Sequence, residues 1–559
     1  MKLLRLLLIF GLAFSLFSLP RPVHLVKITK GTPDLIDILK GCRIDVIQEL
    51  QTCFLARANR DDLSLLRRRG VSVSVLDRDM LGKEHFLIPA LSPAGLRFLS
   101  GRGSVQQVEP GLFLFWTDGG DPLAFLPPDF KRKPLPHSSI LPFLRAYHRP
   151  EGLTLGIQVN DVIRTIIAEL SRDNLRAYVQ SLQDFQTRYT STANCEAASQ
   201  FILGHFQSLG LEASFQPFTF GAGISTRNVV AEIRGETEPE EIVIICGHYD
   251  STSGEPEVRA PGADDDASGV AAVMEAARIL AKYSFDFTVR FIAFSAEEWG
   301  LYGSRYYSAG ARAASERIIG VLNLDMIAYA DHMPEDLDVI VNELSSWMAE
   351  RTEQVAGTYT GLAVRKLVDP SFIYSDHSPF WDQGYSAFCG IEDADVSSPY
   401  YHTIGDTVDT LNFDFFQDAA KTALAALSDL AQPLRLGHPK TPAGLEAESQ
   451  TYASAFTAIK NVHLTWRTVS DAAGYNVYRS TFSHGGFAKV NSSPISAADF
   501  TDRAQKADTA YYYVVTAVWP GGVESNFSRE VESPAEPTRY EQGTSDRDVS
   551  PVIWRWRWQ

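Results

Sequence analysis

Cysteine is scarce in this chain: five in 559 residues, at positions 42, 53, 195, 246 and 389. Exported domains stapled by disulfides are dense in cysteine, so that class is excluded. Cys42 and Cys53 are still close enough in sequence to pair, and the odd total leaves at least one thiol without an intramolecular partner. Basic charge is also short, with 51 Lys and Arg against 68 Asp and Glu and a net charge of -17. Proteins that bind nucleic acid neutralise phosphates with clustered cations, so no nucleic-acid partner is expected. Long apolar runs are missing after the first 17 residues, which excludes an integral membrane segment in the remainder. The single early run, "MKLLRLLLIFGLAFSLFSLP", has Lys2 and Arg5 before an apolar core from Leu6 to Phe17. That pattern predicts a signal peptide over residues 1–20 and a secreted or periplasmic protein.

What is present is an ordinary globular composition, 45% hydrophobic and 21% charged, in a chain long enough for two to four domains. Residues 21–150 carry short β-like alternations such as "VSVSVL" (71–76) and "LFLFW" (112–116) among helical patches. They also hold the Pro-rich basic stretch "LPPDFKRKPLPH" (126–137). This predicts an N-terminal α+β region, a propeptide or an accessory region with a linker. Over 151–434 continuous apolar runs, "EIVIIC" (241–246), "VRFIAFSA" (289–296), "IIGVLNL" (318–324) and "SAFCGI" (386–391), alternate with the helical patterns at 268–283 and 416–431. Strands buried on both faces, separated by helices, predict an α/β domain with a mostly parallel central sheet flanked by helices. Over 435–536 short alternating strands at regular spacing, with Trp466, Tyr475, Tyr478 and the run Tyr511–Tyr513, resemble a fibronectin type III sandwich. Residues 537–559 are a short charged tail.

The chemistry gathers behind the apolar runs of the α/β region. "EIVIIC" leads into His248 and Asp250, "VRFIAFSA" into Glu297 and Glu298, and "IIGVLNL" into Asp325. In open α/β sheets the functional crevice lies beyond the carboxyl ends of the strands, so three strands deliver a histidine and carboxylates to one rim. Imidazole and carboxylate in this number suit zinc. Between the first two strands stands "PGADDDASGVAA" (261–272), with Asp264, Asp265 and Asp266 side by side. Taken alone, the triplet is equally well an acidic helix start, since the helix dipole favours negative charge there. His332, His438 and His463 read as surface or loop histidines, and the Trp and Tyr stripe of 462–518 reads as sandwich core.

In this order, "GHYD", "PGADDDASG", "SAEEWGLYGS", "NLDM" and "YYHT" resemble the di-zinc peptidases of the secreted bacterial leucyl aminopeptidase type, whose relatives include glutamate carboxypeptidases. The resemblance covers roughly residues 160–432 and implies two zinc ions per chain. It implies His248, Asp265, Glu298, Asp325 and His402 as metal ligands, with Asp265 bridging, His248 and Asp325 on one ion, and Glu298 and His402 on the other. Glu297 matches the general base that acts on a metal-bridging water, and Asp250 the acid that orients His248. The implied activity is a metallo-aminopeptidase releasing N-terminal residues from peptides with a free N-terminus. A carboxypeptidase or dipeptidase, a glutaminyl cyclase-like acyltransferase and a noncatalytic binding module stay open as alternatives. Asp376 and His377 fall in a loop near the site and read as packing residues. The loop departs from the family in lacking a cysteine and in placing Phe372 where a tyrosine is expected, with Tyr374 as a substitute. The C-terminal sandwich is expected to aid stability, secretion or attachment to a surface or polymer.

Overall fold

The computed structural model describes residues 23–535 apart from 33, 90–91, 119–130, 137–138, 143–158, 222, 395–397, 435–440, 443, 454–457, 470–471, 484–485, 520–521, 526 and 529. The expected signal peptide, the tail, His438 and half of 126–137 therefore lie outside the described residues. The chain divides into two compact units, residues 1–145 and 146–559.

In the first unit, β1 (His24–Thr29), α1 (Leu35–Cys42), β2 (Asp45–Glu49), β3 (Cys53–Ala58), α2 (Arg60–Arg68) and β4 (Val73–Asp77) build an antiparallel sheet ordered β2-β3-β1-β4. Then β5 (His85–Pro89), α3 (Pro93–Ser100), β6 (Ser104–Glu109), β7 (Leu112–Trp116) and β8 (Lys133–Pro134) repeat the arrangement as β6-β7-β5-β8. The two halves also share a helix-start pattern, "TPDLIDILKG" (32–41) and "SPAGLRFLSG" (92–101). None of the five cysteines is in a disulfide. Cys42 and Cys53, close enough in sequence to pair, do not: Cys53 is buried within β3 against Glu109, 3.7 Å away, whereas Cys42 ends α1.

The second unit begins with helices α4 (Asp161–Ala168), α5 (Arg172–Gln183) and α6 (Ala193–Ser208). There follow β9 (Glu212–Phe220), β10 (Ile224–Ile233), β11 (Glu238–His248), α7 (Ala267–Leu280), β12 (Phe287–Phe294), α8 (Tyr302–Ala313) and β13 (Arg317–Leu324). β14 (Leu337–Val341), α9 (Ser346–Tyr359), β15 (Val364–Val368), α10 (Ser378–Asp382), β16 (Ala387–Ile391) and α11 (Phe413–Ala431) complete this part. The eight strands form one sheet, β15-β14-β16-β13-β11-β12-β10-β9. Its middle, β16-β13-β11-β12, is parallel throughout, and antiparallel pairings carry it outward to β14 and to β10 and β9.

Alternate residues of β11 show why its sequence is a continuous apolar run. Val243 and Ile245 pack in the cluster that holds α7 and α11, while Ile242, Ile244 and Cys246 pack on the other side with Tyr307, Phe380 and Trp381. A strand covered on both faces has no polar face to present.

Downstream lie β17 (Glu446–Ala453), β18 (Ala458–Thr465), β19 (Gly474–Ser480), β20 (Ala488–Lys489), β21 (Asp499–Lys506), β22 (Tyr511–Val518) and β23 (Val531–Ser533). They form two antiparallel sheets, β17-β18-β21 and β20-β19-β22-β23. Val462, Leu464 and Trp466 from one share a core with Tyr475, Val477, Tyr511, Tyr513 and Val515 from the other. Among the described residues no helix is long and apolar enough to cross a membrane.

Candidate metal centre

Three parallel strands end at one rim. His248 is the last residue of β11, Glu297 and Glu298 follow β12, and Asp325 follows β13 directly. His402 arrives on the loop between β16 and α11, and Asp265 on the turn that precedes α7. The structure brings the residues expected from sequence into two adjoining groups, His248 with Glu297 and Asp325, and Asp265 with Glu298 and His402.

Asp265 spans the two. Its Oδ1 lies 3.2 Å from His248 Nε2, and its Oδ2 lies 3.2 Å from His402 Nε2. Asp325 Oδ1 is 3.6 Å from His248 Nε2, and Glu298 Oε2 is 3.0 Å from His402 Nε2. Glu297 Oε2 stands 4.0 Å from His248 Nε2. Donors held about 2.1 Å from a tetrahedral zinc are about 3.4 Å apart. The spacings among these donors match that figure, so the set fits two zinc ions with one shared carboxylate.

Charge points the same way. Asp250, Asp264, Asp265, Asp266, Glu297, Glu298, Asp325, Asp376, Glu392 and Asp406 are all buried, and they outnumber the nearby cationic groups Arg188, His248 and His402. Burial disfavours a charged imidazole at His402, yet Glu298 and Asp265 outweigh it and lift the ring's pKa to about 9. Burial likewise opposes protonation of His248, and Glu297, Asp265 and Asp325 override it. Acidic groups buried in such excess are met either by protons or by cations.

The three consecutive aspartates do three different things. Asp266 caps α7, accepting the Gly269 N–H at 2.8 Å and the His248 N–H at 2.9 Å, so it joins the helix start to the end of β11. Asp264 accepts the Ala328 N–H at 3.0 Å, and burial raises its pKa to about 7. Only the middle residue, Asp265, presents oxygens to both histidines.

Asp250, expected to orient His248, stands beside it and lies closest through its main chain. Its backbone carbonyl, not its carboxylate, faces His248 Nδ1 at 3.0 Å, while carboxylate Oδ1 is 3.8 Å away. The carboxylate instead accepts the N–H groups of Glu297 and Glu298, at 3.1 and 3.3 Å, and the Thr190 hydroxyl at 2.9 Å. Two residues after the strand end, the side chain has turned toward the neighbouring β12 loop. Asp250 thus holds the two glutamates, and its main chain holds the histidine.

Sequence reasoning missed several supports. Ser375 donates to Asp325 Oδ2 at 2.5 Å and accepts from Asn323 Nδ2 at 2.7 Å. Asp406 and the fully buried Arg188 brace the aspartate turn. The signals were weak: Ser375 adjoins "DH", Asp406 lies four residues beyond His402, and nothing in sequence marks Arg188. Asp376 and His377 stay outside both groups; His377 Nε2 faces the Phe372 carbonyl at 2.8 Å and its ring meets Trp381. His332 is exposed and bonds Asp331 and Glu335.

Residues 228–427 match the profile of peptidase family M28. A probable zinc metalloprotease of Pyrenophora tritici-repentis is 27% identical over 377 residues, spanning 55% of this chain and 77% of that protein. Leucine aminopeptidase 1 of Paracoccidioides brasiliensis is 29% identical over 366 residues, spanning 62% of this chain and 89% of that protein. Both come from fungi, where the motifs had suggested bacterial relatives. Among solved structures, LapB from Legionella pneumophila aligns over 73% of this chain and 99% of that one, at 19% identity and a TM-score of 0.46. The chain is a hydrolase acting on peptides, and the segment that is similar to peptidase family M28 carries both metal groups.

Proposed function

We propose that this protein is a secreted or periplasmic di-zinc aminopeptidase that removes N-terminal residues from peptides. The observation that carries the reading is Asp265, whose two oxygens each stand 3.2 Å from a different histidine. Zinc at such a centre supplies Lewis acidity and lowers the pKa of water. His248, Asp325, Glu298 and His402, together with Asp265, would hold the ions. Glu297 then takes a proton from the attacking water and returns it to the leaving amine, a general-base role typically worth about 10²–10⁴-fold. Asp250 keeps the glutamate pair in register by fixing both backbone N–H groups.

The test is a panel of peptides with free and N-acetylated ends, assayed with zinc and with chelator. Cleavage of free-amine peptides that chelator abolishes is expected. Equal cleavage of the acetylated peptides would point to carboxypeptidase or dipeptidase action, and zinc binding without hydrolysis to an acyltransferase or a binding module. The N-terminal unit is read as a propeptide or accessory region, and N-terminal sequencing of exported protein distinguishes these. The C-terminal sheets are read as a fibronectin type III-like sandwich that serves stability or surface attachment, not chemistry.

A further inference from the structure

We propose that Asp406 is a positioning residue that sets the bridging carboxylate of Asp265 and the imidazole of His402 as one rigid piece, with Arg188 bracing the same turn from its other end. The proposal rests on the di-zinc reading above and extends it to residues that touch neither metal nor substrate.

A bridging acid has a stricter task than a terminal ligand, because both of its oxygens must be aimed at once. That requires its backbone to be held, and Asp265 sits on a turn, not within a helix or strand. Asp406 is buried, and its carboxylate receives two backbone donors, one per oxygen: the Asp264 N–H at 2.9 Å on Oδ1 and the Asp265 N–H at 3.1 Å on Oδ2. Its own carbonyl accepts the Ala263 N–H at 3.2 Å. Three consecutive N–H groups of the turn are therefore satisfied by one residue. Because Asp406 lies four residues after His402 on the same loop, the bridge and the histidine it faces are registered to each other.

Arg188 performs the complementary task with donors. Its guanidinium gives hydrogen bonds to the carbonyls of Pro261 and Gly262, both at 2.7 Å, and to those of Tyr249 at 2.7 Å and Leu182 at 3.2 Å. Tyr249 directly follows His248, so this side chain ties the histidine of one metal group to the start of the aspartate turn. Gly262 has φ +51°, and a Cβ there would stand 2.9 Å from Arg188 Nη2 and 2.4 Å from the Asp265 carbonyl. The turn is threaded through a space that this contact fills.

A carboxylate is needed at 406 for a geometric reason. An amide of the same length has one acceptor oxygen and turns an NH₂ toward the second backbone N–H. Asp406→Asn should therefore loosen the turn and weaken zinc binding by about 10–100-fold, the usual effect of losing a group that orients a metal ligand. The readout is zinc bound per chain against buffered free zinc, measured on full-length protein whose near-ultraviolet circular dichroism confirms folding.

Asp429→Asn, which breaks the buried pair with Arg351 on α11 and α9, serves as a control that lowers stability elsewhere. Its zinc affinity should be unchanged. If Asp406→Asn does not fold, Asp406→Glu replaces it, since it keeps charge and both oxygens but displaces them by a methylene; it too should bind zinc more weakly. Wild-type affinity in whichever variant folds, or a loss no larger than that of Asp429→Asn, overturns the proposal. Wild-type protein that binds two zincs but cleaves no peptide would defeat the aminopeptidase reading and leave this measurement standing.

Discussion

Glu297 and Glu298 are adjacent and chemically identical, and their surroundings separate them. Glu298 Oε2 is 3.0 Å from His402 Nε2, whereas Glu297 stands 4.0 Å from His248. Glu297→Gln should keep both zincs and lose about 10²–10⁴-fold in turnover, because an amide cannot take the water's proton. Glu298→Gln removes an anionic ligand, so zinc content should fall with activity, and excess zinc should restore part of both. Asp265→Asn should lose most, since one charge serves two ions that then repel with less between them. Zinc stoichiometry measured beside turnover decides: loss of metal from Glu297→Gln with retention in Glu298→Gln would reverse the two roles. The two glutamates were legible because they follow a recognisable strand. The hydrogen bonds from the Glu297 and Glu298 N–H groups to the Asp250 carboxylate were not, because sequence does not say which way a buried side chain turns.

At the scale of elements, the centre depends on how closely α7 meets the end of β13. A Cβ on Gly269 would stand 2.3 Å from the Leu324 carbonyl and 2.6 Å from Asp266 Oδ1. The helix can approach the strand, and Asp266 can cap it, only because that position is bare. Gly269→Ala should cost about 1–3 kcal/mol, as overpacking in a tight interior does. It should also reduce bound zinc, because it pushes on the residues flanking Asp265 and Asp325. Thermal unfolding and metal content of the variant check this, and a wild-type midpoint would show that the contact relaxes at no cost. The strands themselves were readable from their apolar runs. The antiparallel additions β9, β10 and β14 were not foreseen, since pairing direction leaves no periodic mark on a strand.

For the whole molecule, zinc should behave as part of the fold. Ions bound only by the native state stabilise it by mass action, about 4 kcal/mol when free zinc is a thousandfold above Kd. Chelation should therefore lower the unfolding midpoint of the metallopeptidase part, and an unchanged midpoint on calorimetry would mean the centre forms without metal. The C-terminal sheets contribute no residue to the two metal groups. Contacts to the metallopeptidase part, however, continue past position 434. Thr441 donates to the buried Asp286 at 2.7 Å, and the Leu434 N–H donates to the Ser284 carbonyl at 2.9 Å. A chain shortened after residue 442 should keep full turnover on small peptides. Loss of turnover in a shortened chain that still folds would give the C-terminal sheets a catalytic part.

By itself the sequence determined the residue types of the centre, the strands that carry most of them and the chemistry they suit. Those follow from local pattern: an apolar run ends, and His, Asp or Glu stands next. Residue pattern alone left the aspartate triplet open; the resemblance pointed to Asp265, and tertiary structure turns its oxygens toward both histidines, a matter of direction that three neighbours on one turn do not carry in their sequence. Tertiary structure also decided what holds them. Asp406 lies 141 positions from Asp265 along the chain, and Arg188 lies 74 from Gly262. Contacts of that separation arise from how the sheet and its loops close, a property of packing that no stretch of chain carries within itself.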